Sequence, residues 1–185
     1  MCKSIILIVG ETACGKDTLT KYLKEAHGLR AVCSYTTREK RPSETEGKEH
    51  YFITDSKADR ILDSEEIVAY TKIGNFRYFA TKSELEKSDI YIIDPNGIAY
   101  LKENHPDVIP YIVYVTCDKE IAISHAAKRG DDKDVLSKRI EAEKEQFETF
   151  VKNKGYDRII LNNKTLDDLY READDLASVY QTLKL

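Results

Sequence analysis

The run Ile5-Ile6-Leu7-Ile8-Val9-Gly10-Glu11-Thr12-Ala13-Cys14-Gly15-Lys16-Asp17-Thr18 constrains the fold more than any other part of the chain. It joins a buried strand to a phosphate cradle at the start of a helix. Unbroken apolar residues from Ile5 to Val9 predict a strand covered on both faces, as in a parallel sheet. Gly10 and Gly15 then allow a tight turn whose N–H groups point inward, and Lys16 sets a cation where β- and γ-phosphates would lie. The spacing G-x-x-x-x-G-K is that of a P-loop, with one departure. The residue after the lysine is ordinarily Ser or Thr, whose hydroxyl binds magnesium. Here it is Asp17, with Thr18 one place later.

Beyond the loop, strand-like and helix-like patterns alternate, which predicts an α/β fold with a parallel sheet wrapped by helices. Leu19, Tyr22, Leu23 and Ala26 share one face of a helix expected over 16–27, stopped by Gly28. A short strand is expected over 31–35. Charged and turn-forming residues over 36–48 mark an insertion, and a strand-like pattern resumes over 49–54. Short helices are expected over 56–62 and 82–87, and strands over 67–73 and 77–80. The core pattern returns over 90–94 and 109–116, followed by helices over 119–128 and 134–152 and a last strand over 158–161. Leu166, Leu169, Ala173, Leu176, Tyr180 and Leu183 then recur at helical spacing.

A chain of 185 residues with 41% hydrophobic content suits one core with elaborations rather than two independent ones. The formal charge of −4, without a local basic patch, argues against a nucleic-acid partner. No apolar stretch is long enough for a membrane span, and residues 1–30 lack a signal-peptide pattern. Cys2, Cys14, Cys33 and Cys117 make no C-x-x-C pair and read as reduced thiols in a cytoplasmic protein.

A second cluster, Ser34-Tyr35-Thr36-Thr37-Arg38-Glu39-Lys40-Arg41-Pro42, is followed by Glu46-Gly47-Lys48-Glu49-His50-Tyr51-Phe52. Arg38 and Arg41 can aim two guanidinium forks at one oxyanion, just where an acceptor phosphate would sit for in-line transfer. With Gly74-Asn75, Tyr78 to Thr81, Asp94-Pro95-Asn96-Gly97, Arg129-Gly130, Lys138-Arg139, and Tyr156-Asp157 leading to Asn162, these blocks make the chain resemble the guanylate kinase family over nearly its whole length. The resemblance implies a P-loop NTPase fold: a three-layer α/β/α core with a parallel sheet (1–33, 82–126, 141–185), an acceptor-binding insertion (34–81) and a short lid (127–140). It implies small-molecule substrates. ATP would lie against Glu11, Thr12, Ala13, Cys14, Gly15, Lys16, Asp17, Thr18 and Asn162. A phosphorylated acceptor would lie against Ser34, Arg38, Arg41, His50, Tyr78, Phe79 and Thr81. Lys16, Arg38, Arg129 and Arg139 would be catalytic, with Mg2+ held through Asp17 and Asp94. A phosphomonoester, with its second pKa near about 6, is already ionised at neutral pH and needs no general base, so catalysis reduces to holding two polyanions together.

Departures from the family bear on the acceptor. In the family a Glu six places before the Gly-Asn pair reads the donor edge of guanine, helped by an Asp-x-Asp pair. Here those positions hold Val68 and Ile92, with Asp94 matching the second Asp. Extra residues before Thr81 allow a shifted alignment that puts Tyr70 at the Glu position, and Glu65 or Glu66 could reach the base after a local shift. His50, and by one alignment Phe79, stand where the family has Tyr. Three readings follow: a nucleoside monophosphate kinase acting on GMP, dGMP or an altered base; a kinase of a phosphosugar such as ribose 1,5-bisphosphate, whose kinases share the Gly-Lys-Asp loop and a His near position 50; or a catalytically silent binding module.

Overall fold

The computed structural model describes residues 3–41 and 44–184, so Cys2 and Pro42 lie outside the described residues. The chain runs β1 (Lys3–Val9), α1 (Lys16–His27), β2 (Ser34–Thr36), β3 (His50–Phe52), α2 (Asp55–Ser64), β4 (Ile67–Ile73), β5 (Phe76–Thr81), α3 (Lys82–Glu86), β6 (Ile90–Ile92), α4 (Pro95–Asn104), β7 (Val108–Thr116), α5 (Lys119–Lys128), α6 (Lys133–Lys152), β8 (Arg158–Leu161) and α7 (Leu166–Leu183). The core sheet is four-stranded and parallel throughout, in the order β6-β1-β7-β8.

The side-chain alternation of β1 builds both faces of the core. Ile5, Leu7 and Val9 meet Ile98 and Leu101 of α4 and Phe147 and Phe150 of α6. Ile6 and Ile8 meet Leu19 and Leu23 of α1 and Leu169, Ala173, Leu176 and Tyr180 of α7. Ile5 to Val9 are all 0% exposed, which is why the strand reads as an unbroken apolar run. Each such side chain contributes about 1.5–3 kcal/mol by leaving water. The result is the expected three-layer α/β/α arrangement, with the phosphate loop at the carboxyl end of its central strand.

Residues 34–81 form a second sheet, ordered β3-β2-β5-β4, in which β2 runs parallel to β3 and antiparallel to β5. It has its own small core of Ile53, Ala58 and Phe79, flanked by Tyr35, Tyr51 and Ile61. The segment expected as a strand over 31–35 divides between the sheets. Ala31 bridges Ile90 at the core edge, whereas Ser34–Thr36 belongs to the second sheet. α4 was not expected. Asp94-Pro95-Asn96-Gly97 has turn composition, yet Asp94 is an N-cap whose side chain accepts from the Gly97 N–H at 3.0 Å, and Pro95 is preset for the first helical position. No helix among the described residues is long and apolar enough to cross a membrane.

Candidate active site

The phosphate loop is shaped by backbone that only particular residues allow. Gly10 passes so close to β7 that a Cβ there would lie 1.9 Å from the Val115 carbonyl oxygen. Gly15 has φ +97°, and a Cβ on it would meet the Asn162 amide nitrogen at 2.4 Å. Ala13 holds φ 65° without being glycine, a conformation costing about 1–2 kcal/mol. Side chains from five elements or their flanks hold the loop in that shape. His125 of α5 bonds the Ala13 carbonyl through Nδ1 at 3.0 Å, and Asn162, just past β8, donates to the Cys14 carbonyl at 3.1 Å. Lys16 Nζ donates to the Glu11 carbonyl at 2.7 Å. Glu143 of α6 accepts from both the Thr12 N–H (2.9 Å) and the Thr12 hydroxyl (2.7 Å). The Glu11 carboxylate in turn accepts from the Tyr114 hydroxyl. Burial pushes the Lys16 ammonium below its ordinary pKa, with neighbouring Asp17 opposing that shift. Asp17 is itself 79% exposed in its side chain, 3.8 Å from Arg129, and Thr18 is exposed beside it.

From Gly10, Thr12 and Lys16 a cleft of about 910 Å³ runs to the second sheet, where Ser34, His50, Thr71 and Tyr78 line it, with Ile92 and Asp94 on the core side. Ser34 Oγ and His50 Nδ1 are 2.8 Å apart. Burial and then the Arg38 charge hold His50 below the ordinary imidazole pKa, so it is neutral at pH 7. Arg38 is nearly saturated: Nε donates to Tyr78 Oη (3.2 Å), Nη1 to Glu39 O (2.7 Å) and Glu44 Oε2 (2.9 Å), and Nη2 to Glu44 Oε1 (2.8 Å). Burial works to raise the Glu44 carboxyl pKa, but hydrogen bonds from Arg38 and from the Arg41 N–H outweigh it and keep the group ionised. Arg41 is nearly half exposed, its Nη1 3.8 Å from the same carboxylate.

The structure redistributes several expected site residues. Phe79 is 0% exposed and stacks on Tyr35 in the small core, and Thr81 is 1% exposed with its hydroxyl against Ser83. Neither lines the cleft, because they point to the opposite side of β5 from Tyr78. The Asp94 carboxylate, on the core side of the cleft, accepts from Thr71 Oγ1 (3.0 Å), Gly97 N (3.0 Å) and Gln146 Nε2 (3.3 Å). Val68 is 0% exposed in the main core, and the register irregularity between Ile67 and Ala69 brings Tyr70 and Thr71 to the cleft instead. Glu65 and Glu66 do not line it, Glu66 being engaged by Lys82 at 3.0 Å. Arg139 lines the cleft with its Nε 2.9 Å from Glu143 Oε1, and Arg129 pairs with Asp131 at 2.7 Å. Glu44, His125 and Glu143 carry much of this geometry and were not anticipated. Among the described residues no group of three or more His, Cys, Asp or Glu is arranged to hold a metal ion.

The guanylate kinase family model matches residues 2–180. The guanylate kinase of Buchnera aphidicola subsp. Baizongia pistaciae is 29% identical over 185 aligned residues, covering 92% of this chain and 87% of its own. That of Koribacter versatilis is 28% identical over 173, covering 88% and 73%. The crystal structure of guanylate kinase from Anaplasma phagocytophilum superposes with a TM-score of 0.62 at 16% identity, covering 100% of this chain and 88% of that one, a likeness of fold.

Proposed function

The chain belongs to the guanylate kinase family, and we propose that it transfers the γ-phosphoryl group of ATP to the phosphate of a nucleoside monophosphate of the GMP or dGMP kind, releasing ADP and a nucleoside diphosphate. The observation that carries this reading is the continuity of the cleft, which has Thr12 and Lys16 at one end and Ser34, His50 and Tyr78 at the other. A donor phosphate on the loop and an acceptor on residues 34–81 would share one cavity. The residues for the chemistry are charge-stabilising ones. Lys16 and Arg139 line that cavity, while Arg38, bonded to the lining residue Tyr78, and Arg41 do not line it and would hold the acceptor phosphate from the segment after β2. Arg129 sits on the segment 127–140, which closes over the donor.

Mg2+ fits the exposed Asp17 carboxylate, since a hard cation takes oxygen ligands and keeps several waters. Asp94, committed to Thr71, Gly97 and Gln146, instead offers its carboxylate to the base of the acceptor. When bound, the metal neutralises charge on the β- and γ-phosphates.

The test is ADP release with ATP and Mg2+ against GMP, dGMP, AMP and ribose 1,5-bisphosphate. The expected result is the highest kcat/KM for GMP or dGMP, lost at least about 100-fold in Lys16→Ala, as for removal of one charge-stabilising donor. A preference for ribose 1,5-bisphosphate would make the chain a phosphosugar kinase. Turnover of none of them would make it a binding module.

A further inference from the structure

A second cavity, of about 520 Å³, opens between α5 and α6 on the other side of the phosphate loop and shares only Thr12 and Phe147 with the cleft. Two sulfurs line it: Cys14 on the loop, 2% exposed, and Cys117 immediately after β7, half-buried. They are 3.1 Å apart although 103 residues separate them in sequence. Neither thiol has a part in phosphate transfer as derived above. We propose that Cys14 and Cys117 form a redox-modification site, which a hydroperoxide reaching it through the α5–α6 cavity converts to a disulfide that displaces the phosphate loop.

Exposure sets the order of events. Cys117 is the more accessible sulfur, and its hydrogen bond with Cys14 draws its thiol pKa down. The same contact, together with burial, pushes Cys14 up. Cys117 releases its proton to solvent, and the thiolate attacks the peroxide. An S–O bond forms, the O–O bond breaks, and the leaving oxygen takes up a proton as water or alcohol. Two electrons pass from sulfur to the peroxide, giving a sulfenic acid at Cys117. The Cys14 sulfur then attacks that sulfur. The S–S bond forms, the S–O bond breaks, and hydroxide departs with the Cys14 proton as water. Two thiols and one hydroperoxide thus give one disulfide with two waters, or one water and one alcohol.

A disulfide needs its sulfurs at about 2.05 Å, so closure requires about 1 Å of movement. Both partners are tied down. Asn162 holds the Cys14 carbonyl at 3.1 Å, and beside Cys117 the Asp118 N–H donates to Asn163 at 2.8 Å. Gly15 already packs on Asn162 with no room for a methyl group. The movement therefore passes into the loop, where a displacement of about 1 Å costs about 100-fold in rate. The disulfide stands on the sulfur geometry alone, whereas its effect on turnover rests on the phosphate-transfer reading.

The experiment treats the full-length protein with hydrogen peroxide. It reads non-reducing peptide maps, amide exchange over residues 10–16, and ADP release before and after dithiothreitol. The expected result is a linked Cys14–Cys117 peptide pair, altered exchange in the loop, and turnover reduced about 100-fold and restored by the reductant. Cys117→Ser should keep the untreated turnover and show none of these changes. Separately alkylated cysteines after peroxide, or over-oxidation of Cys117 without linkage, would overturn the site. Linkage with unchanged loop exchange would overturn the displacement. If the untreated protein turns over no acceptor, the kinase reading fails, and the map and the exchange still decide this one.

Discussion

Glu44 decides how Arg38 meets an acceptor phosphate, and replacing it with Gln tests that role. Four hydrogen bonds engage Arg38, two of them to the Glu44 carboxylate at 2.8 and 2.9 Å. Of the five guanidinium hydrogens this leaves one, on Nη2. Both side chains are little exposed, 13% for Arg38 and 11% for Glu44. The pair is therefore no ordinary surface ion pair, whose worth is about 0–1 kcal/mol. Glu44 also accepts from the Arg41 N–H at 2.8 Å, so one carboxylate fixes both arginines of the motif. In Glu44→Gln the amide oxygen keeps one bond, but the amide NH2 faces a guanidinium nitrogen and repels it. Arg38 is released. A phosphate must then reorder it, at about 1–2 kcal/mol of side-chain entropy, which raises the acceptor KM about 5- to 30-fold with little change in kcat. Coupled ADP release at saturating ATP, with GMP varied, reads the split. A KM below that of the wild type would mean that Glu44 competes with the phosphate rather than positioning Arg38, and an unchanged KM would mean that Arg38 does not hold it.

Three further outcomes follow from the same geometry. Asp94→Asn should cost about 10- to 150-fold in kcat/KM for GMP, the worth of a charged hydrogen bond, while changing AMP far less; equal losses for both would place Asp94 only in the helix cap. Because the folded pKa of His50 lies below its unfolded value of 6.5, the unfolded chain takes up the proton first as pH falls, so its contribution is intact above about pH 6.5 and lost below it. Urea unfolding of wild type and His50→Asn should therefore diverge below about pH 6.5, by up to about 1.4 kcal/mol per pH unit, and parallel curves would refute the buried neutral imidazole. Gly10→Ala puts a methyl carbon 1.9 Å from a backbone oxygen that no rotamer change can move, so it should destabilise the fold by about 1–3 kcal/mol or more. A wild-type unfolding midpoint for that variant would show that the loop can leave β7 freely.

The sequence was most informative where local chemistry has a single solution. An apolar run ending in G-x-x-x-x-G-K leads to a buried parallel strand, a loop and a helix, and β1 and α1 (Lys16–His27) stand where expected. Motif matching without the strand period misled in β5. Tyr78 and Phe79 are adjacent, so they face opposite sides, and only Tyr78 lines the cleft. Applied to the sequence, that alternation would have removed Phe79 from the site. α4 was similarly readable, since Asp before Pro is a strong helix start even when Asn-Gly follows. The residues that hold the loop were not readable. Glu143 lies 131 positions from Thr12 and His125 lies 112 from Ala13, and no local pattern links them.

Those hidden partners explain how a chain of net charge −4 can present a site for two polyanions. Each expected arginine comes with a carboxylate already in reach: Arg38 with Glu44, Arg129 with Asp131 and Asp17, Arg139 with Glu143. A guanidinium fork held half-buried without an anion would be costly, and these pairs keep it ordered before any ligand arrives. A phosphate then binds by joining a fork that its carboxylate already holds, as at the one remaining Nη2 hydrogen of Arg38, not by filling an empty positive field. A phosphomonoester, with about −1.5 to −2 charges and three acceptor oxygens, can reach several such forks at once. A monoanion with two oxygens reaches fewer. Discrimination therefore comes from how many ordered forks one ligand spans, and the field of the whole molecule need not be positive for it.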